Sequence, residues 1–100
     1  MWILQSSEPE DGSLTFRLRP GAVKTVGRAP RADFIVDAAL VSRIHCRLTA
    51  GEEQLEVVDL SSTNGTFVND TRVDCAKLTK GDRLRVGRVE LIVERQVRET

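Results

Sequence analysis

One hundred residues, 40% of them apolar and 30% charged, with fifteen acidic residues balancing fifteen basic ones, are enough for one small folded domain. This composition excludes a disordered tail, and no stretch approaches the roughly 20 apolar residues that cross a bilayer. Zero net charge argues against a general nucleic-acid binder, although Arg28, Arg31 and Arg43 would make a local basic patch if folding gathered them.

In chain order, the opening MWILQSSEPEDG lacks the basic start and long apolar run of a signal peptide, so a cytosolic or nuclear protein without membrane attachment is expected. In a reducing compartment Cys46 and Cys75, which are distant and outside any CxxC pair, are expected to be free thiols. LTFRL (14–18), QLEVVDL (54–60), RLRV (83–86) and RVELIVE (88–94) alternate apolar with polar residues. VKTVGR, DFIV, HCRLT, GTFVN and TRV are short β-rich pieces, and RPG, GRAP, AGEE, SSTNG, VND, TKGD and VGR are turn signals between them. Roughly ten short strands in one domain predict an all-β sandwich or barrel with function on its end loops. The domain is expected over 1–95, with 96–100 a frayed end. The sequons NGT (64–66) and NDT (69–71) read as turns in an intracellular chain.

The only histidine, His45, stands three residues after Ser42 and beside Cys46. A Ser–His dyad needs a turn between the two, because strand residues three apart point to opposite faces, and no nearby acid would orient the ring. One histidine and two distant cysteines do not have the spacing of a zinc site, so neither metal nor cofactor is expected. The simpler reading is a histidine held by hydrogen bonds at the root of a loop. Asn64-Gly65, taken alone, reads as a type I′ hairpin turn. Taken together, three loops offer anion-binding groups: Arg28 after the strand-ending Gly27, Ser42-Arg43, and Ser61, Ser62, Thr63 and Asn64 before Gly65.

These motifs, in order, resemble the forkhead-associated (FHA) domains: Gly27-Arg28, Ser42-Arg43-Ile44-His45, Asn64-Gly65 and Asn69, with the closing LTKGDRLRVG at 78–87. The resemblance implies an eleven-stranded β-sandwich that binds phosphothreonine proteins, is not an enzyme, and is monomeric as an isolated domain. Arg28, Ser42 and Arg43 would then contact the phosphate, Thr63 would assist, and Asn64 would hold the peptide backbone. Gly27, His45 and Gly65 would shape the loops, and Asn69 would brace the turn after its strand. Leu40 would bear on the residue three after the phosphothreonine. A narrower resemblance, in MWIL, VGR and SR.H, is to the FHA domains of nibrin-like DNA-damage proteins and implies a nuclear, DNA-damage setting. Three further readings stay open on the residues: an enzyme using His45, a module that binds through a sheet face regardless of phosphorylation, and recognition of nucleic-acid phosphate with steep salt dependence.

Overall fold

Apolar residues at alternate positions bury one face of each strand, and the two buried faces meet. In β1 (Trp2–Ser6) Trp2 and Leu4 are fully buried while Gln5 faces outward. The computed structural model describes residues 1–7 and 14–96, and among these it has eleven strands. The others are β2 (Thr15–Leu18), β3 (Val23–Gly27), β4 (Phe34–Ile35), β5 (Cys46–Ala50), β6 (Leu55–Asp59), β7 (Thr66–Val68), β8 (Thr71–Val73), β9 (Cys75–Leu78), β10 (Arg83–Val86) and β11 (Val89–Arg95).

One sheet runs β2-β1-β11-β10-β7-β8 and the other β4-β3-β5-β6-β9. Every pairing is antiparallel except β3 with β4. Leu4, Leu18, Leu84, Leu91 and Val93 of the first sheet pack against Val26, Leu48, Leu55, Val57 and Leu78 of the second, all essentially inaccessible to water. The fold is therefore the all-β sandwich that the alternation predicts.

Three connections cluster at one end of the sandwich: 28–33 after β3, 36–45 before β5, and 60–65 between β6 and β7. The opposite end is tied shut. Trp2 Nε1 donates to Gly51 O at 2.8 Å, Arg95 reaches the Glu52 carbonyl, and the Arg95 guanidinium lies 5.2 Å over the Trp2 ring.

Several local expectations change. β1 and β9 are strands beyond the predicted set. In β9 the run Cys-Ala-Lys-Leu has only Leu78 fully buried, so its pattern is weak and its β propensity poor. The Asn64-Gly65 hairpin does not form, because the 60–65 segment crosses between sheets and only Gly65 of the pair has a positive φ, +92°. The tight turn lies at Asn69-Asp70 instead, joining β7 to β8 with φ of 49° and 69°, as a type I′ turn requires. Of the expected frayed end, Gln96 is tied down, its amide donating to Met1 O at 2.8 Å, and 97–100 lie outside the described residues.

Candidate functional site

The first two loops are joined through backbone. Arg28 N donates to Ser42 O at 3.0 Å and Ala29 N to Arg43 O at 3.1 Å. Gly27 is required by this approach and not by an unusual φ: a Cβ there would stand 2.0 Å from the Arg43 carbonyl oxygen. With the chains this close, Arg28 Nε donates to Val41 O at 3.1 Å, which fixes the guanidinium plane and leaves its two terminal nitrogens for a ligand.

His45, fully buried, joins the second loop to the third. Its Nδ1 accepts the Ser42 amide at 3.0 Å, and its Nε2 lies 2.8 Å from Gly65 O. An amide can only donate and a carbonyl can only accept, so the ring is the neutral tautomer carrying its proton on Nε2. Both nitrogens are spent on backbone, and Ser42 has no base. The Ser–His dyad is thereby excluded on geometry.

Ser42 Oγ accepts the Thr63 amide at 3.0 Å, which leaves the hydroxyl proton free to donate. Asn64 Nδ2 donates to Leu40 O at 3.1 Å, while its Oδ1 has no protein partner among the described residues. Leu40 is held at φ +71°, an uncommon conformation for a branched apolar residue and one that marks a locally constrained loop.

Behind Thr63 and Asn64 lies a network the sequence reading missed. Asp59 accepts from Ser62 Oγ, from Ser62 N at 3.2 Å and from Thr66 Oγ1 at 2.7 Å, and Ser62 Oγ in turn accepts the Gly65 amide at 3.0 Å. Burial draws the Asp59 carboxyl upward, but the hydrogen bonds from Ser62 and Thr66 outweigh it and hold the pKa below the ordinary 3.8. The signal available in the sequence was Asp-Leu-Ser-Ser at 59–62, an acid three residues before a hydroxyl, the spacing of a side-chain-closed turn. Ser62 therefore serves the loop, not a ligand, and Ser61 turns outward at φ +57°.

Asn69 stands apart from these loops. Its Oδ1 accepts the Arg83 amide at 2.9 Å and its Nδ2 donates to Asp82 at 3.1 Å, so it fastens the β7–β8 turn to the start of β10. Both cysteines are free: Cys75 is exposed, and burial, with the Asp59 charge nearby, pushes the Cys46 thiol up to about 12. Among the described residues no cluster of three metal-binding side chains exists, and no helix is long and apolar enough to cross a membrane.

The result is a depression of about 450 Å³ lined by Arg28, Leu40, Ser42, Arg43, Thr63 and Asn64, together with Ala39 and Val41. Two arginines, two hydroxyl residues and one amide residue are thus gathered around it, and its lining holds no carboxylate. Such a site suits a dianion attached to a peptide. Arg31 joins Arg28 and Arg43 around an adjoining depression, so the basic patch that composition left open does form.

The molecule is thus a β-sandwich whose loops at one end gather arginines, hydroxyls and an asparagine around one depression. The chain belongs to the FHA domain family, whose model matches residues 24–87. FHA domains bind phosphothreonine peptides. The chain is 43% identical over 81 residues to the ABC transporter ATP-binding/permease protein Rv1747 of Mycobacterium tuberculosis, a match covering 81% of this chain and 9% of the transporter. It is 38% identical over 71 residues to the glycogen accumulation regulator GarA of the same organism, covering 71% of this chain and 44% of the regulator. The chain thus spans less than half the length of either.

Among solved structures it is similar to an FHA domain studied for phosphothreonine-dependent interactions, at TM-score 0.86 and 33% identity over 96% of this chain and 97% of that one. It is also similar to the FhaA FHA domain complexed with the intracellular domain of Rv3910, at TM-score 0.84 and 34% identity over 94% and 100%. The curated relatives are bacterial and give no support to the nibrin-like reading or to its nuclear, DNA-damage setting. The MWIL start behind that reading has a packing explanation, since Trp2 and Leu4 fill the core and Trp2 Nε1 donates to Gly51 O.

Proposed function

We infer that this domain binds a phosphothreonine segment of a partner protein through the 28–33, 36–45 and 60–65 loops. One observation carries the reading: Arg28, Ser42, Arg43, Thr63 and Asn64, drawn from three separate loops, line one depression without a carboxylate. Arg28 and Arg43 take phosphate oxygens, the Ser42 and Thr63 hydroxyls donate to the same group, and Asn64 Oδ1 receives a peptide N–H. A phosphothreonine carries roughly −1.5 to −2 charges at neutral pH, and each charge-assisted hydrogen bond contributes about 1.5–3 kcal/mol. After the ordering of the peptide is subtracted, the sum fits micromolar affinity, about −8 kcal/mol, suited to a reversible interaction.

The domain extends over residues 1–95, since β1 and β11 pair in register from Trp2–Arg95 to Ser6–Leu91 and complete the first sheet. The bacterial relatives favour a cytoplasmic setting in which phosphorylation recruits the partner. The loop residues act as a binding surface and not as a catalyst, with His45 committed to backbone on both sides. A fluorescence-polarisation screen of a degenerate phosphothreonine library against its unphosphorylated counterpart tests the reading. Micromolar binding restricted to the phosphorylated set supports it, and equal binding of both sets points instead to a sheet-face interaction.

A further inference from the structure

The described residues expose three large apolar side chains, Val23, Ile35 and Leu40. Val23 opens β3 at the end away from the loops, but Ile35 and Leu40 both stand at the loop end. Leu40 lies in the depression described above. Ile35 lies in a second one, of about 790 Å³, walled by Pro30, Arg31 and Asp37 and sharing Arg28 and Arg43 with the first. The two arginines are the common border, so a phosphate seated on them has a depression on either hand, each with one exposed aliphatic residue.

A lone exposed isoleucine is ordinary on a protein surface. Here its surroundings are pre-built. Ala32 N donates to Ala29 O at 3.0 Å, closing a turn with Pro30 at its second position, and buried Ala32 anchors it. Asp33 Oδ2 accepts from Thr25 N at 2.8 Å and from Thr25 Oγ1 at 3.1 Å, while Asp33 N donates to Thr25 Oγ1, so the crossover into β4 is clamped. Val36 N donates to Gly27 O at 2.8 Å and Ala38 N to Val36 O at 3.0 Å, which fixes the wall carrying Asp37. Within β4, Phe34 stacks on Phe16 with ring centroids 4.5 Å apart and packs against the core, whereas Ile35 is 44% exposed.

Charge selects the occupant. Once Arg28 and Arg43 are engaged by phosphate, the remaining charged walls are Arg31 and Asp37, one of each sign, and what is left is the apolar surface of Ala29, Pro30 and Ile35. We propose that this depression is a second specificity subsite, seating an aliphatic side chain that flanks the phosphothreonine on the side away from the residue that reaches Leu40. The proposal rests on the phosphothreonine reading and adds a second recognised flank to it. A pre-formed wall costs little to order on binding, so a single seated side chain can discriminate by about tenfold or more.

The test uses the whole domain and phosphothreonine peptides varied one flanking position at a time, read by fluorescence polarisation for the wild type, Ile35→Ser and Leu40→Asn, neutral changes that add no charge beside Arg28 and Arg43. Both side chains are exposed, and Asn tolerates the positive φ at position 40, so the variants should melt near the wild type. The expected wild-type result is a preference of about tenfold for Leu, Ile or Val over Asp at one position on each side of the phosphothreonine. Ile35→Ser should erase only one of these preferences and Leu40→Asn only the other. Retention of every preference by Ile35→Ser, or an acidic preference in the wild type on the side that Ile35→Ser affects, overturns the subsite while leaving the phosphothreonine reading intact. If the wild type binds no phosphothreonine peptide, the functional reading itself fails, and the subsite with it.

Discussion

Ser42 and His45 are bound to each other backbone to ring: the Ser42 amide donates to His45 Nδ1 at 3.0 Å, while the opposite ring nitrogen holds Gly65 O at 2.8 Å. One buried imidazole thus sets the separation of two of the loops that line the depression. Removing it leaves an amide and a carbonyl without partners. His45→Ala should therefore lower stability by roughly 2–4 kcal/mol and weaken phosphopeptide binding by loosening the Ser42 loop. Urea denaturation together with peptide titration checks both halves. Full stability with lost binding would make His45 a ligand contact instead.

Gly27 and Arg43 make a second close pairing. Since a Cβ at position 27 would stand 2.0 Å from the Arg43 carbonyl oxygen, Gly27→Ala must push the two loops apart. The expected cost is about 3 kcal/mol or more in stability, with a parallel loss of phosphopeptide affinity. A Gly27→Ala domain that melts and binds like the wild type would show that the loops are not pressed together.

Arg28→Ala should weaken phosphopeptide binding by about 2 kcal/mol or more with little change in folding, because the side chain is exposed and its one internal bond, to Val41 O, is peripheral. Lysine should not restore affinity, since it has no Nε–H at that point and no planar fork. Wild-type affinity of Arg28→Lys in calorimetry would reduce the role of Arg28 to simple charge.

Asp59 makes stability depend on acid. Its folded-state pKa lies below its ordinary 3.8, so the carboxylate's contribution is fully present above 3.8 and is lost as the pH falls through the lower folded value. Asp59→Asn should be less stable than the wild type at neutral pH by about 1–3 kcal/mol, and the gap should shrink under acid. Denaturation midpoints of both proteins, measured from neutral pH downward, test this, and a gap that stays constant to the lowest pH would contradict it.

The fold was legible because period-two alternation is strong in 88–94, where Val89, Leu91 and Val93 enter the core, and at the start of 54–60, where Leu55 and Val57 do. β9 was not, since Ala76 and Lys77 neither alternate strongly nor favour strands. At the site, Arg28, Ser42, Arg43, Thr63 and Asn64 were singled out from order and residue chemistry, and folding does bring them to one depression. Partners that depend on three-dimensional closure were beyond reach. The hold of Asn64 on Leu40 O spans 24 residues, and the hold of His45 on Gly65 O spans 20, so no local pattern records either. The Asn-Gly signal misled because a turn dipeptide fixes backbone freedom, not which sheet the next strand joins. Gly65 uses that freedom on a crossover, and Asn69-Asp70 makes the hairpin.

Calorimetry on one peptide in three forms at a single salt concentration, phosphothreonine, phosphoserine and unphosphorylated, distinguishes a phosphothreonine reader from a general anion site. A preference for threonine requires apolar surface for its methyl in the depression that Arg28 and Arg43 line, where Ala39 and Val41 supply it apart from Leu40. The expected result is micromolar binding of the phosphothreonine form, a loss of about 1–3 kcal/mol for phosphoserine, and no measurable binding of the unphosphorylated peptide. Equal affinity for the two phosphorylated forms would leave only an arginine-lined anion site with no preference for threonine.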